Sequence, residues 1–132
     1  MIFNALIPEL SVSDLAASKQ FYLNTLGFVL EYERVESQFV FISYGGAQIM
    51  LEQVNGHWET GELAYPLGRG INLQIASDDV VALRNKLAAS GYKLFRDIAE
   101  VEYRENEITH QLKEFLVQDP DGYLLRFSQE VS

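Results

Sequence analysis

The sequence predicts an α+β fold of two tandem βαβββ modules, and three observations carry that prediction. The chain repeats itself: Ser13-Asp14 and Leu26-Gly27-Phe28-Val29-Leu30 recur, 64 residues on, as Ser77-Asp78 and Ser90-Gly91-Tyr92-Lys93-Leu94. Each copy reads as one helix between a polar cap and a terminating glycine. Each helix is preceded by one strand-like segment and followed by three. At 132 residues, neither half is large enough to bury a sheet alone. The two are expected to join as a concave eight-stranded mixed sheet with a helix on the outer face of each half. The domain assignment is a single domain over 1–132, with modules at about 1–55 and 69–132.

The first strand is expected within Phe3 to Val12, broken by Pro8, which donates no ladder hydrogen bond and marks an edge or a hinge. Ser13 or Asp14 caps the first helix, near Asp14–Thr25, whose Leu15, Tyr22 and Leu26 share a face. Gly27 follows where a left-handed residue is wanted. Strands are expected at Val29–Val35, Gln38–Tyr44 and Gln48–Val54. The join, Asn55 to Arg69, holds glycines, a proline and the only tryptophan. In the second module, Gly70–Ile75 alternates as a strand, and Ser77 or Asp78 caps a helix near Asp79–Ala89. Strands follow at Tyr92–Asp97, near Lys113–Gln118, and at Tyr123–Gln129, with an acidic insertion from Asp97 to Gln111. Asp119-Pro120-Asp121-Gly122 has the residue order of a type I turn.

Composition narrows the function. The absence of cysteine excludes a disulfide scaffold, a thiolate metal site and a cysteine nucleophile. A formal charge of −9 repels phosphate backbones, so no nucleic-acid partner is expected. No apolar run approaches the roughly 20 residues of a membrane span, and the N-terminus has no signal-type pattern, so a cytoplasmic protein without a membrane partner is expected.

The repeat, the run Val12-Ser13-Asp14-Leu15 leading to Phe21-Tyr22 and Leu26-Gly27-Phe28, and the closing Asp119-Pro120-Asp121-Gly122-Tyr123 resemble the vicinal oxygen chelate superfamily. That superfamily includes glyoxalases, bleomycin resistance proteins and extradiol dioxygenases. The resemblance implies a concave ligand face, where the enzymes bind a divalent metal through residues of the first and last strand of each module. Those positions read Ile7, Glu52, Asn72 and Arg126 here. Only Glu52 ligates well, because isoleucine has no donor, an amide is a poor ligand and a guanidinium keeps its proton. A catalytic cation needs about three good protein ligands, so no metal and no cofactor are expected. His57 and His110 fall in the linker and the insertion, off every ligand position, and are read as loop residues, the alternative being a displaced metal site or a general base.

The expectation is therefore a metal-independent binding protein, not an enzyme, that sequesters a cationic, partly aromatic, bleomycin-like antibiotic. The resemblance to bleomycin resistance proteins also implies a homodimer that exchanges its N-terminal strand about Pro8. The alternatives are a metal-dependent lyase or dioxygenase with an atypical site, or a small-molecule sensor. Alternation assigns Met50, Glu52, Asn72, Gln74 and Arg126 to the ligand side. Phe39 and Phe41 share a face with repeat mates Phe115 and Val117. The resemblance implies Tyr32 and Phe39 as aromatic positions against the ligand, and two further ligand positions, tryptophan in the resistance proteins, fall on Asn72 and Gln111. Trp58 is read as a pocket lid or a dimer contact. Catalytic residues and metal ligands are expected to be none. Arg126 is expected to take the metal's electrostatic place by reaching Glu52.

Overall fold

The computed structural model describes residues 1–131 as two compact units divided after Leu67. Module one runs β1 (Glu9–Val12), α1 (Leu15–Lys19), a π-helical continuation over Gln20–Thr25, β2 (Val29–Arg34), β3 (Phe39–Tyr44) and β4 (Ala47–Gln53). Module two runs β5 (Asn72–Ala76), α2 (Val80–Ala89), β6 (Leu94–Glu105), β7 (Ile108–Gln118) and β8 (Leu124–Glu130). The sheet orders are β1-β4-β3-β2 and β5-β8-β7-β6. In each, the strand before the helix lies parallel to the last strand and the other pairs are antiparallel. The α+β, βαβββ prediction is thus met. Strand pairing closes within each module, giving two four-stranded sheets rather than one ladder of eight.

Three local expectations are corrected. The first strand begins only at Glu9. Residues 1–8 are held instead by the Gln48 side chain, which accepts from the Asn4 N–H at 2.7 Å and donates to the Ile2 carbonyl at 2.8 Å. The second helix is capped by Asp79, whose Oδ1 accepts the Ala82 N–H at 3.0 Å, and not by Ser77 or Asp78. The insertion from Asp97 to Gln111 is not a loop. It continues β6 and β7 as a long hairpin that turns at Asn106, in the left-handed region with φ 55°.

The repeat also carries a one-residue correction. Asp14 caps α1 and Asp79 caps α2, while Gly27 and Gly91 end the two helices, so the first helix is one residue longer. The π-helical turn over Gln20–Thr25 absorbs that residue, as π-bulges do. The strands follow the caps. Gln53 Oε1 accepts the first helical N–H of α1, from Leu15, at 2.9 Å, and Gln129 Oε1 accepts that of α2, from Val80, at 3.1 Å. Gln53 and Gln129 are therefore counterparts, and so are Glu52 and Ser128, and Met50 and Arg126.

The helix face of each sheet forms its core. In module one Leu10, Val12, Val40, Ile42, Ile49 and Leu51 lie under the helix, with Phe21 and Tyr22 fully buried above them. In module two Ile75, Phe115, Val117, Leu125 and Phe127 meet Val80, Leu83 and Leu87 of α2. Burying one such side chain contributes about 1.5–3 kcal/mol, which selects this register over a slip of one residue. The alternate residues point to the far face, away from the helix.

Candidate functional site

In module one the strand register sets two rows across the far face. Tyr32, Phe41, Met50 and Glu9 form one, and Arg34, Phe39, Glu52 and Ser11 the other. Phe39 and Phe41 are only 1% exposed although they point away from the helix. Tyr32 stacks on Phe41 with centroids 5.1 Å apart, and Phe3, itself exposed, meets Phe41 edge-on at 5.5 Å. The Arg34 guanidinium lies 3.8 Å over the Phe39 ring. The result is an aromatic floor capped by the half-buried Tyr32 and the exposed Phe3 and Arg34.

Two carboxylates stand beside that floor. Glu52 Oε1 accepts from Asn55 Nδ2 at 2.7 Å and from the Trp58 indole Nε1 at 3.2 Å. Glu9 has its carboxyl pushed above the ordinary value by burial first and by the neighbouring Glu52 charge second, with Arg34 acting the other way. Trp58 is 61% exposed, so its ring hangs over Glu52 with most of its surface free.

In module two the corresponding rows read Arg96, Leu116, Arg126, Gln74 and Ala99, Glu114, Ser128, Ala76. Glu114 is buried and accepts from the Tyr103 hydroxyl at 2.8 Å and from Ser128 Oγ at 3.4 Å. The hydrogen bond to Glu114 holds the Tyr103 phenol above its ordinary pKa, so it stays a donor. Arg126 Nε lies 3.7 Å from Glu114 Oε2, buried and without a hydrogen-bond acceptor, while Nη2 donates to Gln74 Oε1.

The structure thus brings Tyr32, Phe39, Phe41, Met50, Glu52 and Trp58 together on module one, and Asn72, Gln74 and Arg126 together on module two. Two predicted site residues fall elsewhere. Phe115 is on the helix face, stacked with Phe127 at 5.4 Å, because β7 is one residue out of step with the assumed repeat. The counterparts of Phe39 and Phe41 are Glu114 and Leu116. Gln111 shares the Phe115 side of β7 and hydrogen-bonds Glu102 at 3.3 Å. The expected Arg126–Glu52 pair is replaced: Arg126 finds its carboxylate in Glu114, on the adjoining strand, and Glu52 is met by Asn55 and Trp58. Sequence reading missed Glu9, Arg34, Tyr103 and Glu114. A strand-by-strand alternation count from Glu52 and Arg126 reaches the first two and Glu114. Tyr103 needed the hairpin.

The four positions that the resemblance gave as metal ligands do not correspond between the modules, since Arg126 is the counterpart of Met50 and Glu52 that of Ser128, and they do not fit a metal. Ile7 has no donor atom, Arg126 is already engaged by Gln74, and Asn72 is a neutral amide. Among the described residues no group of three His, Cys, Asp or Glu side chains is arranged to hold a metal ion.

The family model for the Glyoxalase/Bleomycin resistance protein/Dioxygenase superfamily matches residues 5–127. This chain belongs to that superfamily. A superfamily member from Vibrio splendidus 12B01 is 32% identical over 93% of this chain and 95% of its own, with a TM-score of 0.45. TioX from Micromonospora sp. ML1 is 16% identical over 98% of this chain and 100% of its own, with a TM-score of 0.74. The glyoxalase/bleomycin resistance protein/dioxygenase from Alicyclobacillus acidocaldarius is 18% identical over 98% of this chain and 92% of its own, with a TM-score of 0.67. The last two are similar in fold alone. No curated protein matches the chain. Closeness to the bleomycin resistance proteins within the superfamily is not part of what these likenesses carry. No helix among the described residues is long and apolar enough to cross a membrane.

Proposed function

We propose that this superfamily member is a metal-independent binding protein that sequesters a flat, cationic, partly aromatic molecule of the bleomycin type on the far face of module one. One observation carries the reading: a planar cation of the chain itself, the Arg34 guanidinium, already lies on Phe39, in the row that ends beside Glu52. A ligand that displaced Arg34 and Phe3 would gain the same ring faces. Each stacked pair contributes ~0.5–1.5 kcal/mol beyond area, and a desolvated cation–π contact about 2 kcal/mol, so the three rings and the Trp58 indole together support useful affinity. Glu52 and Glu9 supply the complementary charge. The protein acts by stoichiometric capture, not by turnover. We also propose that it works as a homodimer, because Ile2 and Leu6 of the N-terminal segment are 89% and 84% exposed beside strand β1.

Titration with metal-free and copper-loaded bleomycin, followed by Trp58 fluorescence, tests the reading. Saturable quenching that weakens about tenfold in Glu52→Gln supports it, since tenfold is the loss of one charge-assisted contact. No saturable change with either form overturns it. Stoichiometric zinc, nickel or iron on the purified chain, lost in Glu52→Gln, would replace it with a metal-dependent lyase or dioxygenase.

A further inference from the structure

The two modules share one plan, and at matching places they carry opposite chemistry. Where module one has Tyr32, Phe41, Met50 and Glu9, module two has Arg96, Leu116, Arg126 and Gln74. A ring and a thioether become two guanidinium groups, and an acid becomes an amide. Neighbouring strands stand ~4.8 Å apart, so the Arg96 and Arg126 backbones are about 10 Å apart across Leu116. The Arg126 guanidinium lies 5.7 Å from the centre of the Tyr103 ring, and the strand register sets Arg96 in the same row as Arg126. The β6 ladder shifts register on each side of Arg96, the kind of irregularity that re-aims a side chain.

The charge of this face is not cancelled. Arg96 is exposed and, among the described residues, has no carboxylate within ion-pair distance; its guanidinium lies 5.6 Å from the centre of the Phe95 ring. Arg126 is engaged by Gln74 through Nη2 and backed by Glu114, leaving Nη1 uncommitted. Glu114 is spent on Arg126, Tyr103 and Ser128. Of the other acids on this sheet, Glu105 and Glu130 turn to His110, Asp97 turns to Arg84 on α2, and Glu100 and Glu102 stand opposite Lys113 and Gln111, on the other side of the β6–β7 ladder from Glu114. Around Arg96 and Arg126, therefore, two guanidinium groups face one carboxylate, Glu114, in a chain whose net charge is −9. A buried carboxylate beneath an arginine fixes the fork without occupying its outer edge, and that edge fits a planar oxyanion through paired N–H donors.

We propose that the far face of module two is a binding site for the anionic group of a small organic acid, a carboxylate or a phosphate. Arg96 and Arg126 grip the oxyanion and Leu116 lies between them under its apolar part. Glu114 and Gln74 are positioning residues that hold the Arg126 fork. The site is independent of the reading of module one, since no residue is shared.

The test uses benzoate, with phenyl phosphate and the neutral isostere benzamide, titrated into the full chain while the Arg Nε–H resonances are observed by NMR. Benzoate or phenyl phosphate is expected to saturate with shifts at Arg96 and Arg126, and the tighter of the two names the acid. Benzamide is expected to bind at least about tenfold more weakly. Arg126→Gln strands Glu114 and risks unfolding, so the deciding variant is Arg96→Gln, an exposed position. It should weaken anion binding about tenfold with an unchanged unfolding midpoint. Equal binding of benzoate and benzamide, or an Arg96→Gln variant that binds as the parent does, would overturn the site. Benzoate binding with no bleomycin binding sustains this site and overturns only the module-one reading.

Discussion

Single side chains in this molecule act mainly by satisfying backbone. Asp119 is buried, and its Oδ1 accepts the N–H groups of Asp121 and Tyr123, both at 2.9 Å. The turn is closed by Gly122 N–H donating to the Asp119 carbonyl. Asp119→Ala leaves one buried and one part-buried donor unmet and should cost about 2 kcal/mol, read as a fall in the urea midpoint at constant slope. His110 is the pH-sensitive residue. Its hydrogen bond to Glu105 at 2.7 Å, opposed by desolvation and helped by Glu130, raises its pKa. A raised pKa means that the stabilisation is complete below the unfolded value of about 6.5 and is lost as pH climbs through the folded value. Amide exchange across the tip of the β6–β7 hairpin, corrected for intrinsic rates, should therefore be slower at pH 6 than at pH 8.5. His110→Gln should remove the difference, and no difference in the parent would refute the link.

At the scale of elements, each helix is tied to its sheet by a glutamine at the end of the last strand. Gln53 also donates to the Ser13 carbonyl at 2.7 Å, so it binds both sides of the α1 cap. Gln53→Ala and Gln129→Ala should each cost about 1 kcal/mol, the worth of a lost helix cap, seen as lowered melting temperatures. Melting temperatures equal to the parent's would show that these contacts are not held in solution. The helices, their glycine stops and five of the eight strands were legible to within a few residues, because period and punctuation are local signals, while β1 starts later and β6 and β7 run further than expected. The π-helical turn was not. One added residue leaves the apolar pattern readable and shifts only the positions on its N-terminal side. The match of Phe39 with Phe115 instead of Glu114 failed elsewhere: Phe39 and its ladder partner Glu52 are 13 positions apart while Glu114 and Ser128 are 14 apart, so the β7–β8 connection is one residue longer than the β3–β4 turn.

For the molecule as a whole, acidity is the dominant property, with a pI near 4.6. Charge keeps such a chain dispersed at neutral pH, and solubility should be lowest near pH 4.6. Under the proposed homodimer, sedimentation equilibrium at micromolar concentration should return twice the 15.0 kDa chain mass. Leu6→Asp, on an exposed segment with no core contact to lose, should shift it to the monomer. A parent chain that sediments as a 15.0 kDa monomer would refute the dimer.

The sequence by itself determined the α+β class, the two βαβββ modules, the superfamily, and the helix and far faces of most strands. These follow from periodicity and residue order, which are properties of neighbours along the chain. Only the tertiary structure decided which charges meet. Arg126 lies beside Glu114 and not Glu52, because partners across a sheet are set by register, and register depends on every inserted residue between the strands. It also decided that an acidic insertion is a hairpin, since Tyr103 reaches back along it to a carboxylate that local pattern had no means to place.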